Sequence, residues 1–595
     1  MSADQTRPRQ WFARAAGAAA AIGFGMIAGG ALLAGYSRFA ASSRPTDSGL
    51  PSTLSTAALI IGVTLLIAVP LIAIGTGSDI DWYGGWSALV WFAVVAGLSV
   101  LPIMAAKYHL PEAFPSLRHD YPFFEQLPTA VGASGLLTIG AVLIVGAGLR
   151  PAYLRSLSRR LTVLFAVLGV VISAGVAVAA IRAGDDQRNF DHLTATRAQP
   201  PSMPGQLGTE QYRVRIPFMR SDWDSSRSYG DIVPAGTGFV AASAAGLTAY
   251  DGTTGAARWH YLRRGIADNA IDGVEYVGDS LRALEGGTVA LAYWRHFGWL
   301  AFDAITGEIL WQDSDFTYDA AHDDPDYSFG PGTSGPLTLV SNDRVTVYDA
   351  RTGARKWSSE FADPGCRARS TNAAGTATAI YRIIQCYNNT EQWYAASVLD
   401  SRTGATISTR EVGRTPNADA TNLPAHLRTL GNTVIIDWYL GKGSRQMIVT
   451  APDQFATAAE TDMGNSRVLA ADPTGPDLLV ADWPSGFSPP VRAVVIDGAT
   501  GTEKYSPPAI STTVEDGHLA FLTTQLIQVT WDRHTDRDLG PTVRAWNRAD
   551  NSLVTQRPLD HGDRCTGKSS TIATPGALLV LCSDQQSLEI IGFHD

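Results

Sequence analysis

Cysteine is nearly missing from this chain: there are four in 595 residues, the first at position 366. No two of them form a C-x-x-C pair, so the close ligand spacing of a structural zinc site is lacking. Also lacking are a G-x-x-x-x-G-K-[ST] phosphate loop, an H-E-x-x-H zinc motif and a G-x-S-x-G nucleophile elbow. Their absence removes the short signatures of nucleotide hydrolysis, metalloproteolysis and acyl transfer. No block of five or six basic residues occurs, and the chain is acidic overall, with 46 Lys+Arg against 56 Asp+Glu. A phosphate backbone needs neutralising cations, so nucleic acid is a poor partner. His260, His296, His322 and His534 stand at no metal-ligand spacing, and surface or packing roles suit each of them.

Charge is missing from five long apolar stretches: Ala15–Ser37, Thr53–Thr76, Trp82–Ala106, Gln126–Leu149 and Leu161–Ile181. A hydrocarbon core of roughly 30 Å needs about 20 such residues in a helix, since lipid offers the backbone no other partner. The first stretch follows Arg7, Arg9 and Arg14 like a signal peptide. It is longer than a signal core of roughly 7–15 residues, and further spans follow, so it reads as uncleaved. Arg150, Arg155, Arg159 and Arg160 lie between spans four and five, on the same side as the N-terminus. The positive-inside rule then places the N-terminus in the cytoplasm and everything after Ile181 outside. The spans contain no ionisable group of the kind a transport path leaves. Gly25, Gly29, Gly132, Gly135 and Gly140 suit close helix packing instead, so an anchoring bundle is expected, with room for a lateral partner or lipid.

Residues 1–183 carry 12 Lys+Arg against 7 Asp+Glu, and residues 184–595 carry 34 against 49. A basic membrane domain over 1–183 is thus joined to an acidic domain over 211–595. Between them, 184–210 reads as a linker, polar and marked by Pro200, Pro201 and Pro204. Cys366, Cys386, Cys565 and Cys582 all follow the last span. Their spacing suggests two local pairs, although four cysteines allow three connectivities. Disulfides fit the oxidising compartment that the charge rule indicates.

An internal repeat organises the acidic domain. Ala249–Trp259 (AYDGTTGAARW), Ala301–Trp311 (AFDAITGEILW) and Val347–Trp357 (VYDARTGARKW) are near-ideal copies. Val398–Ser408 and Val495–Tyr505 follow, with a degenerate copy at Ala545–Thr555. In each, a strand ends at Asp251, Asp303, Asp349, Asp400 or Asp497, whose carboxylate caps the turn. Gly255, Gly307, Gly353, Gly404 and Gly501 supply the positive φ that the turn needs. Trp259, Trp311 and Trp357 are placed to pack between sheets. The repeat recurs every 46–52 residues, with one double gap whose eroded copy falls near Val449–Asp453. Units of about 50 residues suit four-stranded blades. The segments Ala577–Cys582 and Leu588–Gly592 read as the first two strands of a last unit that Tyr212–Phe218 completes. The expected fold is a five-helix transmembrane bundle followed by an all-β propeller, with eight blades preferred and seven the alternative.

The A-x-D-x-x-T-G-x-x-x-W motif resembles the tryptophan-docking repeat of pyrroloquinoline-quinone (PQQ) dehydrogenases and their non-catalytic relatives, over roughly residues 211–595. In the enzymes of that family the resemblance implies PQQ and Ca²⁺ at the propeller axis, often beside a disulfide between adjacent cysteines. No Cys-Cys dipeptide exists here. Asp323, Asp324 and Asp326 are the best carboxylate cluster, but their spacing matches no calcium loop and a connecting loop is the better reading. No catalytic residue is carried over, and no cofactor is expected. The expectation is a membrane-anchored, extracytoplasmic, non-catalytic module in the plasma membrane that binds a protein or cell-envelope partner with a basic or neutral surface. The alternatives are a membrane-bound PQQ-dependent dehydrogenase and a transport or signalling accessory with a ligand-binding ectodomain.

Overall fold

A computed structural model describes residues 6–42, 49–75, 107, 109, 113–115, 124–147, 157–185, 190–217, 232–243, 246–263, 280–294, 298–313, 328–329, 335–341, 344–361, 365–416, 425–430, 432–440, 443–462, 466–472, 475–482, 492–507, 519–530, 542–559, 569–583 and 587–594. The chain forms two compact units, one ending at Phe190 and one taking over at Asp191.

The first unit is helical: α1 (Thr6–Phe39), α2 (Leu50–Gly75), α3 (Gln126–Gly146) and α4 (Arg159–Gly184). All four are long and apolar enough to cross a membrane. The expected span Trp82–Ala106 lies outside the described residues. Small residues let α1 lie against its neighbours at backbone distance, which is how helices associate where lipid removes the hydrophobic drive. A Cβ on Gly25 would sit 2.1 Å from the Ala166 carbonyl oxygen of α4, and one on Gly29 would sit 2.2 Å from Ser173 Cβ. Gly140 of α3 faces the Gly23 carbonyl at 2.7 Å in the same sense. Gly135, expected to pack closely as well, has nothing within 4 Å of a built Cβ. The core of the bundle is Ile27, Ala34, Leu54, Ala58, Ala130 and Leu137, with Tyr36 Oη donating to Glu125 Oε2 at 2.7 Å.

The second unit is an eight-bladed propeller, built from eight antiparallel sheets. From the axis outwards, blade 2 runs Arg282–Leu284, Val289–Trp294, Gly298–Asp303 and Ile309–Asp313, and these positions are called strands a to d. The turns a–b and c–d lie at one end of the blades, called here the lower end. The b–c turns and the connections between blades lie at the upper end. Strand a of blades 1 and 3–8 is Ile232–Ala235, Ser328–Phe329, Arg367–Gly375, His426–Leu430, Ser466–Ala471, Leu519–Phe521 and Ser569–Thr574. Apolar residues facing between sheets make the core, with Trp259, Trp294, Trp438 and Trp546 almost wholly buried.

Ring closure joins the chain's two ends. Ser569–Thr574, Ala577–Ser583 and Ser587–His594 form strands a to c of blade 8, and Thr209–Pro217 pairs antiparallel with Ser587–His594 as strand d. The C-terminal segments are therefore the second and third strands of the unit, not the first two. Closure hides the edges that an open sheet would expose. The double gap in the repeat is filled by blade 5, where the 3-10 turn Pro452–Gln454 replaces the Asp–Gly turn between Gly443–Val449 and Glu460–Asp462. The stretch read as a linker is mostly committed to the propeller. Phe190–Leu193 is a fifth strand on blade 1, next to Ala257–Arg263.

Gly25→Leu is expected to force α1 off α4 and to cost about 1–3 kcal/mol of stability in detergent. Gly135→Leu should leave the melting temperature unchanged. Equal effects of the two substitutions would contradict this helix packing.

Candidate functional site

The repeat residues all lie at the lower end, and they are consumed in holding blades together. Asp251 Oδ1 accepts the N–H groups of Thr253 and Thr254, both at 3.1 Å, and Asp349, Asp400 and Asp497 cap their turns in the same way. Gly255, Gly307, Gly353, Gly404 and Gly501 have φ of 68–75°. The degenerate copy keeps the device: Asn547 caps, and Asn551 takes the glycine position at φ 60°. Trp259 Nε1 donates to the Ala304 carbonyl of the next blade at 2.9 Å, Trp311 Nε1 to Ala350 at 2.7 Å, and Trp357 Nε1 to Ser401 at 3.0 Å. Each indole lies flat on the next glycine, so a Cβ on Gly307 would be 2.6 Å from the Trp259 ring. Gly501 carries no such ring, with nothing within 4 Å.

Tyr212 performs this docking where the ring closes, and the sequence reading missed it. Its Oη donates to the Gly252 carbonyl at 2.8 Å, and its ring covers Gly255 at 2.3 Å from a built Cβ. Burial, then the nearby Asp251 charge, raises its pKa well above the ordinary tyrosine value, so it stays a neutral donor. The signal was an aromatic one strand away from a repeat, at the far end of the chain.

Residues 191–208 form a belt across the lower end. Asp191 Oδ1 meets His260 Nε2 at 3.2 Å, and His192 Nε2 meets the Gly307 carbonyl at 2.7 Å. Ala195 N–H donates to the Thr306 carbonyl at 2.8 Å. The Ser202 carbonyl accepts from Gly576 N–H and the Gly205 carbonyl from Thr524 N–H, both at 2.9 Å. Leu207 N–H then donates to Gln525 Oε1 at 2.8 Å. The belt thus visits blades 2, 1, 8 and 7 before entering strand d of blade 8. It holds almost wholly by hydrogen bonds.

Asp303 anchors it. In blades 1, 3 and 6 the second carboxylate oxygen faces a basic residue seven positions on: Arg258 at 3.8 Å, Lys356 at 3.2 Å and Lys504 at 3.2 Å. Blade 2 has Leu310 there, so Asp303 Oδ2 takes Arg197 of the belt at 2.8 Å and Arg351 of blade 3 at 2.7 Å. Burial alone would raise the Asp303 carboxyl. The Arg351 hydrogen bond, the Ile305 and Thr306 N–H groups and the Arg351 charge outweigh it and hold the pKa below the usual carboxylate value.

The upper end is distinguished by blade 4, whose strands of nine, nine, ten and eleven residues exceed the three, six, six and five of blade 2. Its extension is stapled by the Cys366–Cys386 disulfide between strands a and b. Cys582, on strand b of blade 8, is also disulfide-bonded, and Cys565 lies outside the described residues. Beside the staple, the Arg414 guanidinium lies 4.4 Å from the Trp393 ring centroid and is held by Glu391 and Glu411 at 2.6 Å. Arg369 lies 5.6 Å from the Tyr387 ring, and Arg367 is paired with Tyr387 in the ladder. Arg382 is buried against Phe361 and bonded to Ser397 Oγ at 3.1 Å; burial lowers its pKa to about 10, so it remains a cation at neutral pH. Asn388 caps its own hairpin through the N–H groups of Thr390 and Glu391, both at 2.8 Å. Motif spacing could not reveal this height, because the residues come from the connections while Asp349 and Asp400 stay 51 apart.

Among the described residues no group of three or more His, Cys, Asp or Glu side chains could hold a metal. Asp323, Asp324, Asp326, His296, His322 and His534 lie outside the described residues. No family model matches the chain, and no curated protein does. Among solved structures it is similar to the dihydro-heme d1 dehydrogenase NirN in complex with DHE, with 10% identity and a TM-score of 0.32 over 65% of this chain and 84% of that one. A europium-containing methanol dehydrogenase follows, with 11% identity and a TM-score of 0.28 over 51% and 75%. The WD40 domain of SCAP from fission yeast gives 7% identity and a TM-score of 0.27 over 54% and 96%. Similarity this slight carries nothing about activity.

Two outcomes are expected here. Tyr212→Ala should cost about 2–4 kcal/mol in chemical denaturation and Tyr212→Phe about 1 kcal/mol, the share of the single hydrogen bond. Asp303→Asn should destabilise by about 1–3 kcal/mol at neutral pH. A depressed carboxyl contributes stability above its unfolded pKa of about 4 and loses it as pH falls through the lower folded value, so the difference should shrink as acid titrates the carboxylate. A deficit that persists undiminished in acid would show that the charge is not the cause.

Proposed function

We propose that this protein is a membrane-anchored extracytoplasmic binding module, and that the upper end of its propeller, led by blade 4, engages a protein or cell-envelope partner. One observation carries this reading: among the described strands those of blade 4 are the longest, and a disulfide and an Arg–Trp–Glu cluster brace their upper ends. Bracing a projection against motion reduces the entropy lost when a partner binds. Exposed Arg367 and Arg369 and the Tyr387 ring are the side-chain types that dominate interfaces. The repeat supports it from the other side, since its aspartates, glycines and aromatic rings are spent on blade contacts. The basic residues near α1 and α4 and the disulfides favour a cytoplasmic N-terminus and an external propeller.

The reading predicts the outcome of cross-linked co-purification from membranes. Partners should be lost when residues 191–595 are removed and kept when the helices are exchanged for unrelated spans. Recovery of the same partners without the propeller would sink it. Saturable quenching of tryptophan fluorescence by PQQ with Ca²⁺ would replace it with the dehydrogenase reading.

A further inference from the structure

We infer that the outer edge of blade 4 takes up an extended segment of the partner protein as a fifth strand, held by main-chain hydrogen bonds. The inference rests on the proposed function and names how blade 4 holds a protein. Strand d of blade 4, Thr406–Pro416, is the outermost of its sheet and pairs on one side only, with Glu391–Asp400. Between two register shifts, Ser408–Val412 pairs regularly with Tyr394–Val398. Alternate N–H and carbonyl groups of those five residues point away from the sheet along roughly 17 Å. No described residue outside blade 4 bonds the main chain there. A row of donors and acceptors at strand spacing is matched by another extended chain, so the occupant that fits it is a polypeptide.

The propeller already contains this arrangement once. Phe190–Leu193 lies as a fifth strand on Ala257–Arg263, strand d of blade 1. Side chains meet across that junction: Asp191 Oδ1 lies 3.2 Å from His260 Nε2, and the His192 ring centroid is 5.5 Å from that of Tyr261. His260 follows its turn glycine, Gly255, by five positions, as Thr409 follows Gly404. The added strand on blade 1 has four residues, and blade 4 offers a longer edge than any other described blade. Its strand d has eleven residues, against nine in blade 8, seven in blade 1 and six or fewer in the rest.

Sheets commonly guard such an edge with lysine, proline or charges that repel a second strand. Thr406–Thr415 contains neither lysine nor proline. Its charges are committed within the propeller. Arg410 reaches the Ala458 carbonyl and Glu460 Oε1 of blade 5, both at 2.6 Å. Glu411 is taken by Arg414, which also holds Glu391 and lies against the Trp393 ring. Val412 packs in the apolar cluster between blades 4 and 5. Ile407, Thr409 and Glu411 are left exposed, and two of these three are β-branched. They favour a neutral segment rich in β-branched side chains, since cross-strand pairs of that kind stabilise a sheet.

The test is photo-cross-linking of the full-length protein in membranes. Benzoylphenylalanine is placed in turn at Ile407, Thr409 and Glu411, and the joined residues are mapped by mass spectrometry. One segment of one partner is expected, with the joined residue moving by two as the placed residue moves by two, the period of paired strands. The same group at Ser358, exposed on strand d of blade 3, should join nothing from that segment. Successive N–H groups alternate between strand c and the open edge, so one of Ser408→Pro and Thr409→Pro spares the ladder. That variant should melt like the parent and lower partner recovery about 10-fold. Joined residues without the two-residue step, or joined residues from a second copy of this chain, would overturn the inference. Full recovery in the proline variant that melts like the parent would do so too. Should both proline variants melt below the parent, the cross-link map decides alone. Partners lost on removal of residues 191–595 but never joined from this edge would sink the inference and leave the proposed function standing.

Discussion

An aromatic ring lying on a glycine is the contact on which the propeller depends. The glycine must hold a positive φ to finish its turn, and the missing Cβ is also what lets the ring of the preceding blade lie against the backbone. One residue therefore solves a turn problem and a packing problem together, and the indole N–H satisfies a carbonyl that the turn leaves unpaired. The contact is used at the four junctions from blade 8 to blade 4, through Tyr212, Trp259, Trp311 and Trp357. At three further junctions arginine contributes. Arg410 reaches the Ala458 carbonyl of blade 5 at 2.6 Å, Arg548 of blade 7 reaches back to Asp472 and Asp477 of blade 6, and Arg557 lies 4.9 Å from the Phe593 ring of blade 8. These arginines supplement apolar packing at the same junctions, such as Tyr381, Trp438 and Phe455 between blades 4 and 5.

The belt makes the seam of the ring more than a strand pairing. Thr209–Pro217 closes blade 8, and the residues before it are tied in turn to blades 7, 8, 1 and 2. Their hydrogen bonds lie at the surface, each worth little by itself. Asp303 differs because its carboxylate is buried and gathers Arg197 and Arg351 around one oxygen, joining belt, blade 2 and blade 3 at a single point. Leucine at position 310, where blades 1, 3 and 6 carry a basic residue, is what leaves that oxygen open to them.

Much of this was legible in the residues. The Asp–Thr-Gly–Trp spacing is local turn chemistry, so it named the hairpins, their period and the closure by the two chain ends before any coordinates. The apolar spans were legible because lipid imposes length and composition directly, and four of them are helices here. What failed were features with no local signal. The belt is polar, exposed and without period, which reads as a linker in any sequence. Tyr212 is not a tryptophan and lies far in sequence from the strand it joins. The height of blade 4 is hidden because longer strands and shorter connections leave the repeat spacing unchanged.

By itself the sequence determined the helices long and apolar enough to cross a membrane, the propeller and its repeat, because each rests on interactions between residues close along the chain or on the length and composition that a bilayer demands. The tertiary structure alone decided that Asp303 joins the belt to blades 2 and 3, and that the strands of blade 4 are the longest among those described. Those arrangements depend on which turn meets which and on how far each strand runs past its neighbours, as where Asp303 meets Arg197 across 106 positions.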